Sequence, residues 1–229
     1  MSRLAALRAP HTLRGILFDL DGTLVDSVPD LAWALDEALL ACGFAAAGVE
    51  RVRGWVGNGA AKLAQRATAW ALSVAEEAAP EHEVQRVLES FYDFYASDSS
   101  SRSQLYPGVR EALAHWSQLG LKLACVTNKP ERFTHPILRE FAIDQYMPVV
   151  VGGDTLPQRK PDPAPLQHAC ELMGLAPENV VMVGDSANDV GAARAIAMPV
   201  ACVSYGYNHG EPVSAAQPDI LVDHFADLV

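Results

Sequence analysis

No run in this 229-residue chain reaches ~18 consecutive apolar residues, which speaks against a membrane-spanning helix. There is no CxxC pair and no HxH or HExxH pattern among the seven histidines, so a zinc site is not expected. Residues 1–14 carry Arg3, Arg8 and Arg14 but no apolar stretch of signal length, and the expectation is a cytosolic protein. Cys42, Cys125, Cys170 and Cys202 are scattered, two of them inside apolar strand-like runs, which favours buried reduced thiols over disulfides. Basic residues are scarce, 17 against 28 acidic, and the net charge of -11 with no basic stripe argues against nucleic-acid or anionic-membrane partners. Aromatics are only 7% of a chain that is 50% hydrophobic, with alanine abundant, and this suits helices packed closely around a sheet. An acidic chain that handles an anion must concentrate its few cations, a metal included, in one place.

What the chain does have begins at Gly15. The run Gly15–Leu20 has the length and apolar character of a strand buried on both faces, and Gly22 ends it. Asp19 and Asp21 are two residues apart, so in extended backbone their carboxylates share a side. Two such groups repel, and burial would neutralise them unless something positive sits between. A hard divalent cation such as Mg²⁺ answers that need, because it takes one or two carboxylates and keeps its other positions for water or phosphate.

From Val28 to about Ser103 strand-like runs disappear. Helical patterns cover Pro29–Cys42, roughly Val49–Ala78, and Glu81–Ala96, with Ser27 a candidate N-cap and Pro29 in the first turn. This block, following directly on the strand with the two aspartates, reads as a cap over a site, the alternative being a helical hairpin of the core. Within it Gly54-Trp55-Val56-Gly57-Asn58-Gly59-Ala60 breaks helical logic, since three glycines in six residues each cost up to ~1 kcal/mol in a helix. The stretch is expected to be a loop whose backbone N–H groups, with the helix from Ala60, grip an anion, or else a plain inter-helix turn; Trp55 is assigned to packing. The serine-rich Ser97–Ser103 is a polar return hinge.

After Tyr106 the pattern alternates. A helix over Pro107–Leu119 leads to strands at Leu121–Val126, Met147–Val151, Val180–Val183 and Val200–Ser204, with helices at Glu131–Phe141, Pro163–Met173 and Asn188–Ala197 between them, and Ile220–Val222 is a further short strand. The alternation predicts a doubly wound α/β fold around a parallel sheet, with ligands at the carboxyl ends of the strands. Chemistry-bearing residues fall at those ends: Thr127-Asn128, then Lys160 before Pro161-Asp162-Pro163, where Asp162 can cap a helix, then Gly184-Asp185 with Asn188 and Asp189 opening a helix.

Asp19-Leu20-Asp21-Gly22-Thr23 resembles the DxDGT signature of the haloacid-dehalogenase-like hydrolases; Thr127, Arg159-Lys160-Pro161-Asp162-Pro163 and Gly184-Asp185 resemble that family's later motifs. The resemblance implies a Rossmann-like core of residues 1–27 and 104–229 with an inserted helical cap over 28–103, and a sheet order that sets Asp185 beside Asp19. It implies catalysis by Asp19 as nucleophile and Asp21 as acid and base, with Thr127, Lys160 and Asn128 receiving phosphate charge, and Mg²⁺ held by Asp19, the Asp21 carbonyl and Asp185, with Asp189 behind them. The loop at Gly57, Asn58 and Gly59 is similar to the substrate-selecting cap loop of bacterial phosphoglycolate phosphatases. The expected reaction is therefore Mg²⁺-dependent hydrolysis of a small phosphomonoester, foremost 2-phosphoglycolate, through an aspartyl-phosphate; a sugar phosphatase or phosphomutase is the alternative. Monomer and homodimer both remain open. One departure is Ala195-Ile196-Ala197, where relatives commonly have Ala-Ala-Gly, which puts a local turn in doubt.

Overall fold

The computed structural model describes residues 3–7 and 12–229; Arg8 lies outside the described residues. The chain runs α1 (Arg3–Ala6), β1 (Gly15–Phe18), β2 (Val25–Asp26), α2 (Val28–Ala41), α3 (Val49–Arg53), α4 (Ala60–Leu72), α5 (Glu81–Ser97) and β3 (Gln104–Leu105). It continues through α6 (Val109–Gln118), β4 (Lys122–Val126), α7 (Glu131–Glu140), β5 (Val149–Val151) and α8 (Ala164–Met173), then β6 (Val180–Gly184), α9 (Ala187–Arg194), β7 (Val200–Val203) and β8 (Ile220–Val222).

Six strands form a parallel sheet in the order β5-β4-β1-β6-β7-β8. The sheet is buried on both faces, which is why its strands read as unbroken apolar runs. The period of two still sorts them: Ile16 and Phe18 point into one apolar cluster with Val181 and Val183, Leu17 into the other with Val180 and Met182. On the first face Trp116 stacks on Phe18 at 5.6 Å, and Phe225 packs against both. Side chains of this size contribute about 1.5–3 kcal/mol each when fully buried. The short strand expected at Ile220–Val222 forms the edge of the sheet beside β7.

β1 lies at the centre, with Phe18 level with Cys125 of β4 and Val183 of β6. Three chain segments far apart in sequence thus end together, and Asp19, Thr127 and Asp185 emerge at one edge. The winding reverses there, because the chain builds outward from β1 through β4 to β5 and then returns to β6.

The helical block α2–α5 leaves and rejoins the core through β2 and β3, a two-residue antiparallel pair that periodicity did not reveal. Two residues are too few to show a period of two. The return segment is fastened as well: buried Asp30 accepts hydrogen bonds from the Arg102 N–H at 3.1 Å and from the Ser103 hydroxyl. Inside the block Val87, Phe91 and Tyr95 form the buried stripe of α5, Phe91 and Tyr95 stacking at 5.3 Å. The pattern read as one helix from Val49 to Ala78 is broken, as its glycines suggested, into α3, a turn and α4. Trp55 is half-buried and packs on Trp70 at 6.1 Å, so its assignment to packing stands. None of the four cysteines is in a disulfide, and three of them are buried.

The doubtful turn after α9 has a definite form. The helix stops at Arg194, short of the expected Ala197, and Ala197 takes φ +52° while the Met198 N–H returns to the Ala193 carbonyl at 2.9 Å. A side chain in the left-handed region costs about 1–2 kcal/mol, partly offset by the freedom glycine would lose on folding. The Ala197 methyl is exposed and contributes no packing. Ala197→Gly is therefore expected to raise stability by up to about 1 kcal/mol, a gain of roughly 2–4 °C in thermal denaturation; a lower Tm would contradict this account of the turn.

Candidate active site

The strand-end turn that carries Asp19 and Asp21 is set by Gly22, with φ +85° and so little room that an added Cβ would come within 2.3 Å of an Asp185 oxygen. The tight turn brings Thr23 back onto the neighbouring strand end, where its hydroxyl donates to Asp185 at 2.7 Å; the Tyr207 N–H donates to the other Asp185 oxygen at 2.6 Å. Asp185 is thereby oriented toward Asp19. Oxygen atoms of Asp19, Asp185 and Asp189 all lie within 4.8 Å of one another.

Asp189 is fully buried and saturated. One oxygen accepts from the N–H groups of Asp185 and Ser186 and from the Ser186 hydroxyl, closing a capping box at the start of α9; the other accepts from Lys160 at 2.7 Å. Lys160 also reaches Asp19 at 3.0 Å, with its side chain 1% exposed. Its root is held as the sequence suggested, Asp162 accepting from the Ala164 N–H at 2.9 Å at the entrance to α8. Burial alone would lower the Lys160 pKa, but Asp189 and Asp19 outweigh it and raise the pKa above the ordinary lysine value.

The expectation that a metal sits between the carboxylates of Asp19 and Asp21 needs correction. Each carboxylate has its own ammonium: Lys160 serves Asp19, and Lys129 serves Asp21, its Nζ 3.0 and 3.1 Å from the two Asp21 oxygens. Ser27 is corrected too: its hydroxyl forms no helix cap but donates to Asp21 at 2.6 Å. The Asp21 side chain thus stands apart from the acidic cluster, turned toward the cavity.

The electrostatics test whether a cation fits. Asp19, Asp21, Asp185 and Asp189 bring four carboxylates against the two ammonium groups of Lys129 and Lys160, an excess of two negative charges. Burial, opposed by Lys160 and reinforced by Asp189 and Asp21, lifts the Asp19 pKa to about 6. Burial and the charges of Asp19 and Asp189 push Asp185 well above its usual range. Acids that resist ionisation at this density are what a divalent cation relieves, and an all-oxygen donor set suits Mg²⁺.

A cavity of about 50 Å³ lies between the strand ends and the helical block. Asp19, Asp21, Thr127, Asn128 and Lys129 line its floor, while Gly57, Gly59, Ala60 and apolar side chains of α2, α4, α5 and α7 close it. The predicted residues divide here. Gly57 and Gly59 border the cavity with Asp19, but Asn58 lies along a separate surface groove with Lys62, Gln65 and Arg159. The Asn128 amide is committed elsewhere: it donates to the Gly57 carbonyl at 3.1 Å and to the Lys160 carbonyl at 3.0 Å. Asn188 donates to the same Gly57 oxygen at 3.1 Å, so two core amides clamp one carbonyl of the loop. Any contact of Asn128 with a ligand then falls to its backbone N–H.

Sequence reasoning gave no role to Lys129 or Thr23 and read Asn188 only as opening a helix. Thr23 belongs to the signature and Lys129 follows Thr127-Asn128 directly, but a buried lysine looks like a solvated one until its surroundings are known.

The model of the haloacid dehalogenase-like hydrolases matches residues 13–197. A phosphoglycolate phosphatase of Nitrosococcus oceani is 46% identical over 214 residues, 93% of each chain. Phosphoglycolate phosphatase 1 of Pseudomonas aeruginosa is 44% identical over all of this chain and 83% of its own length. The crystal structure of a predicted phosphoglycolate phosphatase from Haemophilus somnus superposes with a TM-score of 0.88 at 41% identity, covering 94% of this chain and 96% of the other.

Proposed function

The chain belongs to the haloacid dehalogenase-like hydrolases, and from that premise we propose that it is a Mg²⁺-dependent phosphatase of small phosphomonoesters, acting on 2-phosphoglycolate. The observation that carries this reading is the pair Asp19 and Asp21, both facing one small cavity and each held by its own buried lysine. A nucleophile alone would serve to displace a halide. A second carboxyl beside it serves a reaction whose leaving group is an alkoxide that must be protonated.

Asp19 attacks phosphorus in line and forms an aspartyl-phosphate while Asp21 gives its proton to the departing oxygen; Asp21 then takes a proton from the water that hydrolyses the intermediate. The Lys160 ammonium, the Thr127 hydroxyl and the Asn128 backbone N–H receive charge on the phosphoryl oxygens. Asp19, the Asp21 carbonyl and Asp185 would hold Mg²⁺, which lowers the repulsion between nucleophile and phosphate. Residues 28–103 act as a cap, its loop fastened through the Gly57 carbonyl and its apolar side chains excluding water from the phosphoenzyme. The activity named for the relatives supports a two-carbon substrate.

Phosphate release from a panel of small phosphomonoesters tests the reading. With Mg²⁺, 2-phosphoglycolate is expected to lead in kcat/KM by on the order of 10²-fold or more, and EDTA to abolish turnover. Sugar phosphates that match it would refute the substrate, and turnover indifferent to EDTA would refute the metal.

A further inference from the structure

One cation in the cavity has no part in the phosphoryl transfer described above. Lys129 has a side chain only 4% exposed, with its Nζ bound to both oxygens of Asp21 and its ammonium 4.8 Å from the ring centre of Tyr95 on α5. Desolvating an ammonium is expensive unless it is compensated, and here the Asp21 carboxylate and the Tyr95 ring compensate it at the cavity wall. Lys160 serves Asp19 and does not line the cavity, so Lys129 is the ammonium that faces it.

Among the described residues that line the cavity, Lys129 is the one cationic side chain. Most of the remaining wall is apolar, contributed by Leu31, Val56, Leu63, Phe91 and Phe133 among others. The start of α4 also borders the space, but a helix N-terminus offers about half an elementary charge against the full charge of an ammonium. A second anionic group on a substrate therefore finds its strongest counter-charge at Lys129.

Position agrees with charge. Asp21 serves the ester oxygen, so that oxygen must lie beside the Asp21 carboxyl, and the ammonium stands about one hydrogen bond from the same carboxyl. In a phosphorylated 2-hydroxy acid the carboxylate carbon is two bonds from the ester oxygen. A carboxylate so close to the leaving oxygen falls next to Lys129, whereas a longer acid would carry it into the apolar wall.

We propose that Lys129 is the residue that reads the substrate's carboxylate, its ammonium shared between Asp21 and the anionic end of a short 2-phosphooxy acid. This rests on the phosphatase reading and assigns the core, rather than the cap loop alone, a part in selecting the substrate. Tyr95 supports it from the cap, presenting a ring face that holds the ammonium in the cavity when the cap is down.

The test compares kcat and KM for 2-phosphoglycolate and for ethyl phosphate, which lacks the carboxylate, in the wild type, Lys129→Met and Lys129→Arg at saturating Mg²⁺. The wild type is expected to prefer 2-phosphoglycolate. In Lys129→Met that preference falls by on the order of 10²–10³-fold, most of it through KM for the carboxylate substrate. Equal losses on both substrates would overturn the assignment and leave Lys129 as a partner of Asp21 only. Circular dichroism shows whether the methionine variant folds; if it does not, Lys129→Arg decides, because it keeps the charge and displaces its centre. The arginine variant is expected to reduce the preference by at least about tenfold, and an unchanged preference overturns the proposal. A wild type indifferent to the carboxylate would instead refute 2-phosphoglycolate as substrate, whatever the variants do.

Discussion

Asp19→Asn is expected to lower phosphate release by on the order of 10⁴–10⁶-fold while leaving the metal-free protein more stable than the wild type. On the proposed mechanism the loss follows because an amide oxygen cannot serve as the nucleophile that forms the acyl phosphate. The gain in stability follows from the site's electrostatics. Burial, opposed by Lys160 and reinforced by Asp189 and Asp21, holds the folded pKa of Asp19 at about 6, above the ordinary carboxylate value of 3.8. An acid whose pKa is higher in the folded state destabilises the fold once it is ionised, and the fold regains that stability as pH falls. At pH 7.5 the asparagine variant escapes this cost, and at pH 4 it has little to escape. Its Oδ1 still accepts the Leu20 N–H, the 2.7 Å contact that Asp19 makes. Thermal denaturation without metal should show a Tm a few degrees above wild type at pH 7.5, the difference shrinking toward pH 4. Added Mg²⁺ should stabilise the wild type more than the variant. A variant that melts well below the wild type at pH 7.5 would show the carboxylate to be a net stabilising group, contrary to this account.

Lys160→Met should reverse that pattern and damage fold and turnover together. Lys160 is the ammonium that touches both Asp19 and Asp189, and its removal leaves buried Asp189 and half-buried Asp19, with buried Asp185 beside them, without that charge. Breaking a buried ion pair from one side costs about 3–5 kcal/mol, which for a chain of this length is roughly 10 °C in Tm. On the proposed mechanism turnover should fall by on the order of 10³-fold or more, since the phosphoryl oxygens would lose a full charge. The pH dependence provides the discriminating readout. Below about pH 6 Asp19 takes up a proton, and Asp185, also raised by burial and by its acidic neighbours, joins it. The deficit of Lys160→Met against wild type should therefore narrow on acidification. A deficit that is constant with pH would mean that lost packing around the lysine stem, rather than uncompensated charge, dominates.

These opposed outcomes come from neighbouring groups of opposite sign in one network. The site is built with more negative charge than its lysines neutralise, and the metal-free fold is expected to bear that excess as a stability cost. Stability and catalysis are thus set against each other at Asp19, whereas at Lys160 they are aligned.

Much of this was legible in the chain before folding. The apolar run ending in Asp19-Leu20-Asp21-Gly22, the βα alternation after Tyr106, and the placement of Thr127 and Asp185 at strand ends and of Lys160 before a helix depend on local patterns of period two and 3.6 and on turn residues, all encoded within a few positions. The glycine-rich break at Gly54–Gly59 is local too, and it was found. Ser27 was misread for the complementary reason. Its position before Pro29 suits an N-cap, but Asp21 competes for the same hydroxyl and wins, because an ionised acceptor is stronger than the neutral exchange a cap offers.

The chain by itself, then, determined the elements, their order and the chemical groups delivered to one edge of the sheet. Only the tertiary structure decided how those groups are paired: Lys129 with Asp21 across 108 residues, Asn188 with the Gly57 carbonyl across 131, Thr23 with Asp185 across 162. No local preference distinguishes a lysine bound for solvent from one bound for a buried carboxylate, since both extend the same side chain from the same backbone. The distinction arises on burial, when water is withdrawn and each charge must find its compensation among whatever the strand order has brought within reach.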